Sequence, residues 1–202
     1  MIDSQYDVNL SASLPGEPVI CGIDEAGRGP LLGPVVAAAC ILPKGFLPAC
    51  LDDSKKLTPA KRDKLFDIIL SGALAAGIGI ASAAEIDEIN ILEATLLAMR
   101  RAVSALTLRP GYLLVDGNVF RGFDIDGKCL ISGDAISPSI AAASILAKVT
   151  RDRICLELDE KYPEYGIKQH KGYGTAAHVA ALKKYGPCPE HRRKFIRFLD
   201  KT

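Results

Sequence analysis

The sequence predicts an α/β fold: a mixed central sheet flanked by helices, with a small helical C-terminal portion. Three observations carry this reading. Short apolar runs of strand length stop at Gly, Asp or Asn, and longer stretches between them repeat apolar residues at helical spacing. Thr58-Pro59 and Ser137-Pro138 both show a capping hydroxyl followed by proline at the first helical position.

Residues 19–26 read as a buried strand that stops at the turn Gly27-Arg28-Gly29-Pro30. Residues 33–42, with Val35, Val36 and Ile41, are its expected hairpin partner. Residues 43–57 form a loop. Thr58 opens a helix to about Ser71, with Leu65, Ile68 and Ile69 as its apolar stripe. Residues 73–81 give a third strand. Asn90 caps a helix to about Leu106, on which Ile91, Leu92, Thr95, Leu96, Met99 and Val103 recur at helical spacing. Residues 112–115 form a short strand before Asp116-Gly117-Asn118, and residues 128–131 form another before Gly133-Asp134. Ser137 opens a long helix to about Lys161, and two shorter helices come after it at 175–185 and 190–199. The chain divides into an N-terminal tail (1–18), a main domain (19–162) and a helical C-terminal portion (163–202).

Apolar residues make up 49% of the 202 and charged residues 24%, which excludes a disordered chain. No apolar run reaches 18 residues without a charge, so no membrane contact is expected. The first 18 residues lack the basic start and apolar centre of a signal peptide, and a cytoplasmic location is expected. Six scattered cysteines without a CxxC pair read as buried free thiols. The net charge of +1 is uneven: 12 Lys/Arg against 17 Asp/Glu through residue 147, then 13 against 7. That asymmetry suits a protein that holds cations in one place and a polyanion in another; a solvated helical surface is the alternative.

Four acids stand where predicted strands end or a capped helix begins: Asp24, Glu25, Asp116 and Asp134. Ligands of open α/β sheets gather at strand ends. Converging carboxylates repel one another, and a hard divalent cation with oxygen ligands, Mg2+ or Mn2+, relieves the conflict. Taken singly, each acid reads first as a turn cap, a helix cap or a solvated carboxylate. Neighbours on a regular strand point to opposite faces, so Asp24 and Glu25 share a site only if the strand ends or bulges there. No GxSxG, Cys–His dyad or phosphate loop is present, which leaves metal-activated water as the nucleophile. His170, His178 and His191 all lie in the basic tail without metal-ligand spacing and read as surface or phosphate-facing residues.

Five segments appear in order: Cys21-Gly-Ile-Asp-Glu-Ala-Gly-Arg-Gly-Pro30, Asp53-Ser-Lys-Lys-Leu57, Val115-Asp-Gly-Asn118, the run from Gly133 to Arg153, and His170-Lys-Gly-Tyr-Gly-Thr175 followed by His191-Arg-Arg-Lys-Phe195. Together they span nearly the whole chain from Val19 to Phe195, and in them the chain closely resembles bacterial ribonuclease HII. The resemblance implies a ribonuclease H-like catalytic domain over 19–162 and a substrate-binding portion over 163–202. It implies an endonuclease that acts on RNA–DNA hybrids and cuts 5′ to single ribonucleotides in duplex DNA, leaving 3′-hydroxyl and 5′-phosphate ends. It carries over Asp24, Glu25, Asp116 and Asp134 as catalytic ligands of two Mg2+ or Mn2+ ions. It also carries over Gly27, Arg28, Gly29 and Tyr173 as the element that senses the junction between ribo- and deoxyribonucleotide. Glycines permit close backbone approach to a sugar, and the 2′-hydroxyl is what separates RNA from DNA. In the related ribonuclease HIII an additional N-terminal domain and a glutamate in place of Asp134 are usual.

Arg28, Ser54, Lys55, Lys56, Lys148, Lys171, Arg192 and Arg193 are candidates for phosphate contact, with a solvated surface role as the alternative for each. The expected partners are RNA–DNA hybrid and ribonucleotide-containing duplex DNA, and the expected state is a monomer. Two rival readings are a nucleic-acid binder without catalysis and a phosphohydrolase of small molecules. Anions facing phosphates serve no pure binder, and the basic tail favours an extended polyanion over a small one.

Overall fold

The computed structural model describes residues 2–48, 51 and 57–201. Five strands form one sheet: β1 (Ile20–Ala26), β2 (Val35–Ile41), β3 (Ala75–Ala81), β4 (Tyr112–Asp116) and β5 (Gly127–Leu130), in the order β3-β2-β1-β4-β5. β1 and β2 pair antiparallel as the hairpin expected from the sequence, and β3 adds antiparallel to β2. β4 and β5 run parallel to β1, so the sheet is mixed.

Two long helices cover opposite faces. α3 (Ala83–Ser104) packs on the face formed by Cys21, Ile23, Val35, Ala37, Leu113 and Val115. α4 (Pro138–Lys161) and α2 (Pro59–Gly72) pack on the other, against Ala38 and Cys40. Strand alternation sorts these two sets. α4 comes so close to β1 that a Cβ on Gly22 would sit 2.1 Å from the Ser139 carbonyl carbon and 2.2 Å from the Ile140 nitrogen. Only glycine allows that approach, which brings α4 onto the end of β1 that carries Asp24.

Both cap-then-proline signals hold. Thr58 accepts from the Lys61 amide and Ser137 from the Ile140 amide, each cap worth about 1 kcal/mol. Three elements differ from the sequence expectation. α3 starts two turns earlier than Asn90: Ser82 and Glu85 form a reciprocal capping box, and Asn90 (φ 71°) interrupts the helix. Asn90 still caps the remaining turns of α3, its side-chain oxygen accepting from the Leu92 and Glu93 amides. Residues 6–13, read as tail, form a helix α1 (Tyr6–Ser13). Its Asp7 accepts from the Ser137 hydroxyl (2.6 Å) and the Ser139 amide (2.9 Å), placing a carboxylate on the N-terminus of α4. Residues 190–199 form no α-helix; they are two 3₁₀ turns, Arg193–Phe195 and Arg197–Lys201, after a bridge between Leu32 and His191. The helical periodicity there loses to docking, because the Arg192 amide donates to Leu31 (2.9 Å) and the Gly33 amide to Glu190 (2.9 Å).

The C-terminal portion adds α5 (Ile167–His170) and α6 (Ala176–Tyr185) around a separate apolar cluster of Leu32, Leu158, Tyr165, Ile167, Leu182 and Ile196. Cys21, Cys40, Cys129, Cys155 and Cys188 are free thiols, and burial raises the pKa of each. Among the described residues no helix is long and apolar enough to cross a membrane.

Candidate active site

A cleft of about 250 Å³ opens at the C-terminal ends of β1 and β4. Its floor carries Asp24, Glu25 and Asp116, and its rim carries the turn Gly27-Arg28-Gly29, Lys148 and Tyr173. The site therefore lies where parallel strands end beside an antiparallel neighbour, the usual place for a ligand in such a sheet.

Asp24 is only 6% exposed. One of its oxygens accepts from the Glu25 amide at 2.7 Å, and the Ser144 hydroxyl on α4 hydrogen-bonds its carboxylate. Burial pushes its pKa well above the usual carboxylate range, and the negative charges of Glu25 and Asp116 push it further. Alternation puts Asp24 on the α4 face, with Gly22, and Glu25 on the other. The ladder between β1 and β2 runs unbroken through Ala26, while that between β1 and β4 ends at Ile23 and Val115. Beyond Ile23 one side of β1 is thus open, and both acids line the cleft without a bulge. Glu25 pairs with Arg28 at 3.2 Å.

Asp116 closes β4. One of its oxygens accepts from the Gly133 amide at 2.7 Å, which ties β4 to the 3₁₀ turn Gly133–Ala135. Asp134 sits in that turn, 5% exposed, between β5 and the cap of α4. It does not line the cleft with the other three acids. Among the described residues no group of three acids is closed into a metal-holding cage. The donor set nevertheless fits a hard divalent ion. All the candidate donors are oxygens, and the buried Asp24 carries a like-charge conflict that such an ion would remove.

Gly29 and Tyr173 meet across the rim: a Cβ on Gly29 would lie 3.5 Å from Tyr173 Cε1. Tyr173 is 49% exposed and presents its ring to solvent. Lys148 is half-buried and held at 2.7 Å by Asp152. Lys171 is half-buried and Arg193 exposed. Ser54, Lys55 and Lys56 lie outside the described residues.

Arg192 is a correction. Expected at a phosphate, its side chain is fully buried, and its guanidinium donates to the carbonyls of Gly27, Arg28, Gly33 and Pro34. The histidines are a second correction. His178 and His191 are buried and joined to each other, and His170 stacks on His178 at 4.3 Å between ring centroids. Sequence reasoning missed Ser144 and Arg151. Both lie on one face of α4 with Lys148, at spacings of four and three, and that periodicity was the available signal.

Residues 21–200 match the family model described as Ribonuclease HII. A ribonuclease HII of Polaromonas sp. is 56% identical over 186 residues, covering 92% of each chain. One from Geobacter sulfurreducens is 56% identical over 190 residues, covering 94% of this chain and 88% of the relative. Among solved structures, the ribonuclease H2 from Pyrococcus horikoshii OT3 superposes with a TM-score of 0.75 at 30% identity, covering 90% of this chain and 97% of that one.

Proposed function

The chain belongs to the ribonuclease HII family and is a type 2 ribonuclease H, and from that premise we propose how it selects and cuts its substrate. As a member it is an endonuclease for the RNA of RNA–DNA hybrids. Its finer activity is a cut on the 5′ side of single ribonucleotides embedded in duplex DNA, leaving 3′-hydroxyl and 5′-phosphate ends. The carrying observation is that one cleft joins a buried, charge-conflicted carboxylate group to a glycine turn and an exposed tyrosine.

Asp24, Glu25 and Asp116 line that cleft, and Asp134 stands one residue beyond the glycine that Asp116 holds; together they are the ligands for two Mg2+ or Mn2+ ions. Such ions make a nucleophile of water at neutral pH and stabilise the leaving 3′-oxygen. Ser144 orients Asp24, and the Glu25 amide fixes one of its oxygens. Lys148 and Arg28 add positive charge beside the phosphate path. The backbone of Gly27-Arg28-Gly29 reaches a ribose hydroxyl closely, and the Tyr173 ring packs on the neighbouring deoxyribose. Lys171 and Arg193 are proposed phosphate contacts, and the sequence adds Ser54, Lys55 and Lys56 to that proposal. A monomer is the proposed working state, since Asp24, Glu25, Asp116, Gly27-Arg28-Gly29 and Tyr173 line one cleft of a single chain.

The test is a labelled DNA duplex with one internal ribonucleotide, incubated with Mg2+ and with EDTA. Cleavage 5′ to the ribonucleotide in Mg2+ alone is expected. A cut that persists in EDTA, or none at the ribonucleotide while a long hybrid is cut, refutes the reading.

A further inference from the structure

Residues 27–34 read Gly-Arg-Gly-Pro-Leu-Leu-Gly-Pro, and Arg28 alone offers a polar side chain, which it gives to Glu25. The loop cannot hold its own shape through its side chains. Two guanidiniums hold it from beneath. Arg192 Nε donates to the Gly33 carbonyl (2.9 Å), Nη1 to that of Arg28 (2.9 Å), and Nη2 to those of Gly27 (2.6 Å) and Pro34 (3.1 Å). Arg151 Nε donates to Pro34 as well (3.2 Å), its Nη2 to Leu32 (3.3 Å), and both Nη atoms to Lys171 (3.1 Å). Arg151 of α4 and Arg192 of the C-terminal portion thus grip one turn and share the Pro34 carbonyl.

Both side chains are fully buried. Their hydrogen bonds go to neutral carbonyls, so two like charges sit close together in the interior. Burial first and the charge of Arg151 second push the Arg192 guanidinium down to about 9, still protonated at neutral pH. Apolar side chains would fill the same space without that desolvation penalty. The arrangement makes sense through what it does to the turn. In a trans peptide the C=O and the following N–H point in opposite directions. With the carbonyls of Gly27 and Arg28 drawn inward to Arg192, the amides of Arg28 and Gly29 turn outward, toward the cleft that these residues line. Arg151 fixes the start of the turn: a Cβ on Gly27 (φ +99°) would lie 2.0 Å from its Nε.

We infer that Arg192, braced by Arg151, is a positioning residue for ribonucleotide recognition. It locks the Arg28 and Gly29 amides outward as donors for the ribose 2′-hydroxyl, the group an all-DNA duplex lacks. The inference rests on the sensing role proposed above and deepens it: specificity lies in a backbone whose orientation is set by an interior cation from the C-terminal portion. Lysine at 192 keeps the charge but cannot fork to four carbonyls.

The test uses the Asp24→Asn protein in EDTA, expected to bind duplex without cutting it, alone and with Arg192→Lys. Affinities are measured for a duplex with one ribonucleotide and for the all-DNA duplex of the same sequence. The parent is expected to prefer the ribonucleotide duplex. Arg192→Lys is expected to lower that preference about tenfold by weakening the ribonucleotide complex alone, as loss of one or two aligned hydrogen bonds would. An undiminished preference in a folded Arg192→Lys protein overturns the inference and leaves the sensing role standing. A parent without preference overturns the sensing role and the inference with it. Should Arg192→Lys fail to fold, amide hydrogen exchange on the otherwise native parent decides. The Arg28 and Gly29 amides should be protected by the ribonucleotide duplex and not by all-DNA. Equal protection by both overturns the inference.

Discussion

His178 Nε2 and His191 Nε2 lie 3.0 Å apart in the interior of the C-terminal portion, and their protons are fixed by what surrounds them. The Cys188 amide donates to His191 Nδ1 (3.0 Å), so that nitrogen is bare and Nε2 carries the proton. His191 therefore donates to His178, whose Nδ1–H donates to the Tyr173 carbonyl (2.9 Å). A chain of neutral imidazoles ends on the backbone of the exposed tyrosine at the cleft rim.

That chain predicts acid sensitivity. Burial, and then its histidine neighbour, lowers His191 to about 4, and burial lowers His178 in the same direction. Unfolded histidines protonate near 6.5. The folded values are depressed, so the unfolded state binds more protons and stability falls as pH drops from about 6.5 toward 4. For His191 the loss is on the order of 3 kcal/mol. Urea unfolding at a series of pH values should show it, and a His178→Asn, His191→Asn protein should show a shallower fall. Equal slopes would contradict the buried neutral pair.

Asp24→Asn should lower cleavage on the order of a thousandfold or more, through lost metal stabilisation of the transition state. It should also raise the melting temperature of the metal-free protein at neutral pH. The folded pKa of Asp24 lies above its unfolded value near 4, so ionising it costs the metal-free fold stability as pH climbs. A cleavage assay in Mg2+ checks the first part, and calorimetry with and without Mg2+ checks the second. A variant that melts lower without metal, or still gains from Mg2+ as the native protein does, refutes the charge conflict.

Tyr173→Ala should reduce kcat/KM on a single-ribonucleotide duplex about tenfold to a hundredfold, the scale of one lost aromatic contact to a nucleotide. Its half-exposed ring predicts a nearly unchanged melting temperature. Steady-state kinetics beside a thermal melt separates the two. An unchanged rate removes Tyr173 from recognition.

Gly22→Ala should destabilise by on the order of 3 kcal/mol, because its Cβ would meet the backbone of α4 at Ser139 and Ile140. Backbone atoms cannot step aside as a flexible side chain does. Chemical denaturation measures the change. A loss under about 1 kcal/mol would mean that β1 and α4 can separate without harm.

The strands, both proline-capped helices and the placement of acids at strand ends were legible in the sequence, because each depends on local periodicity or on one capping residue. The first two turns of α3 were missed although Ser82 and Glu85 spell a capping box, since the strong signal at Asn90 masked them. The 190–199 segment misled in the opposite sense. Its apolar spacing suits a helix, but the Arg192 amide and guanidinium are taken up by the loop at 27–34, and the Arg193 and Lys194 amides by Asp87.

What the sequence determined by itself was the family, the sheet and helix order, and the set of residues from which a metal site and a sensing turn are built. The tertiary structure decided what each charge does. Lys148 and Arg192 are both basic residues in the C-terminal part of the chain, yet one lines the cleft and the other is buried beneath it. Asp24 and Glu25 alternate along a strand, yet both face the cleft because β4 stops pairing at Val115. Local pattern encodes element and face, through hydrogen-bond periodicity. Whether a guanidinium meets a phosphate or a carbonyl depends on which distant backbone arrives beside it, and that is settled only when the sheet, α4 and the C-terminal portion close together.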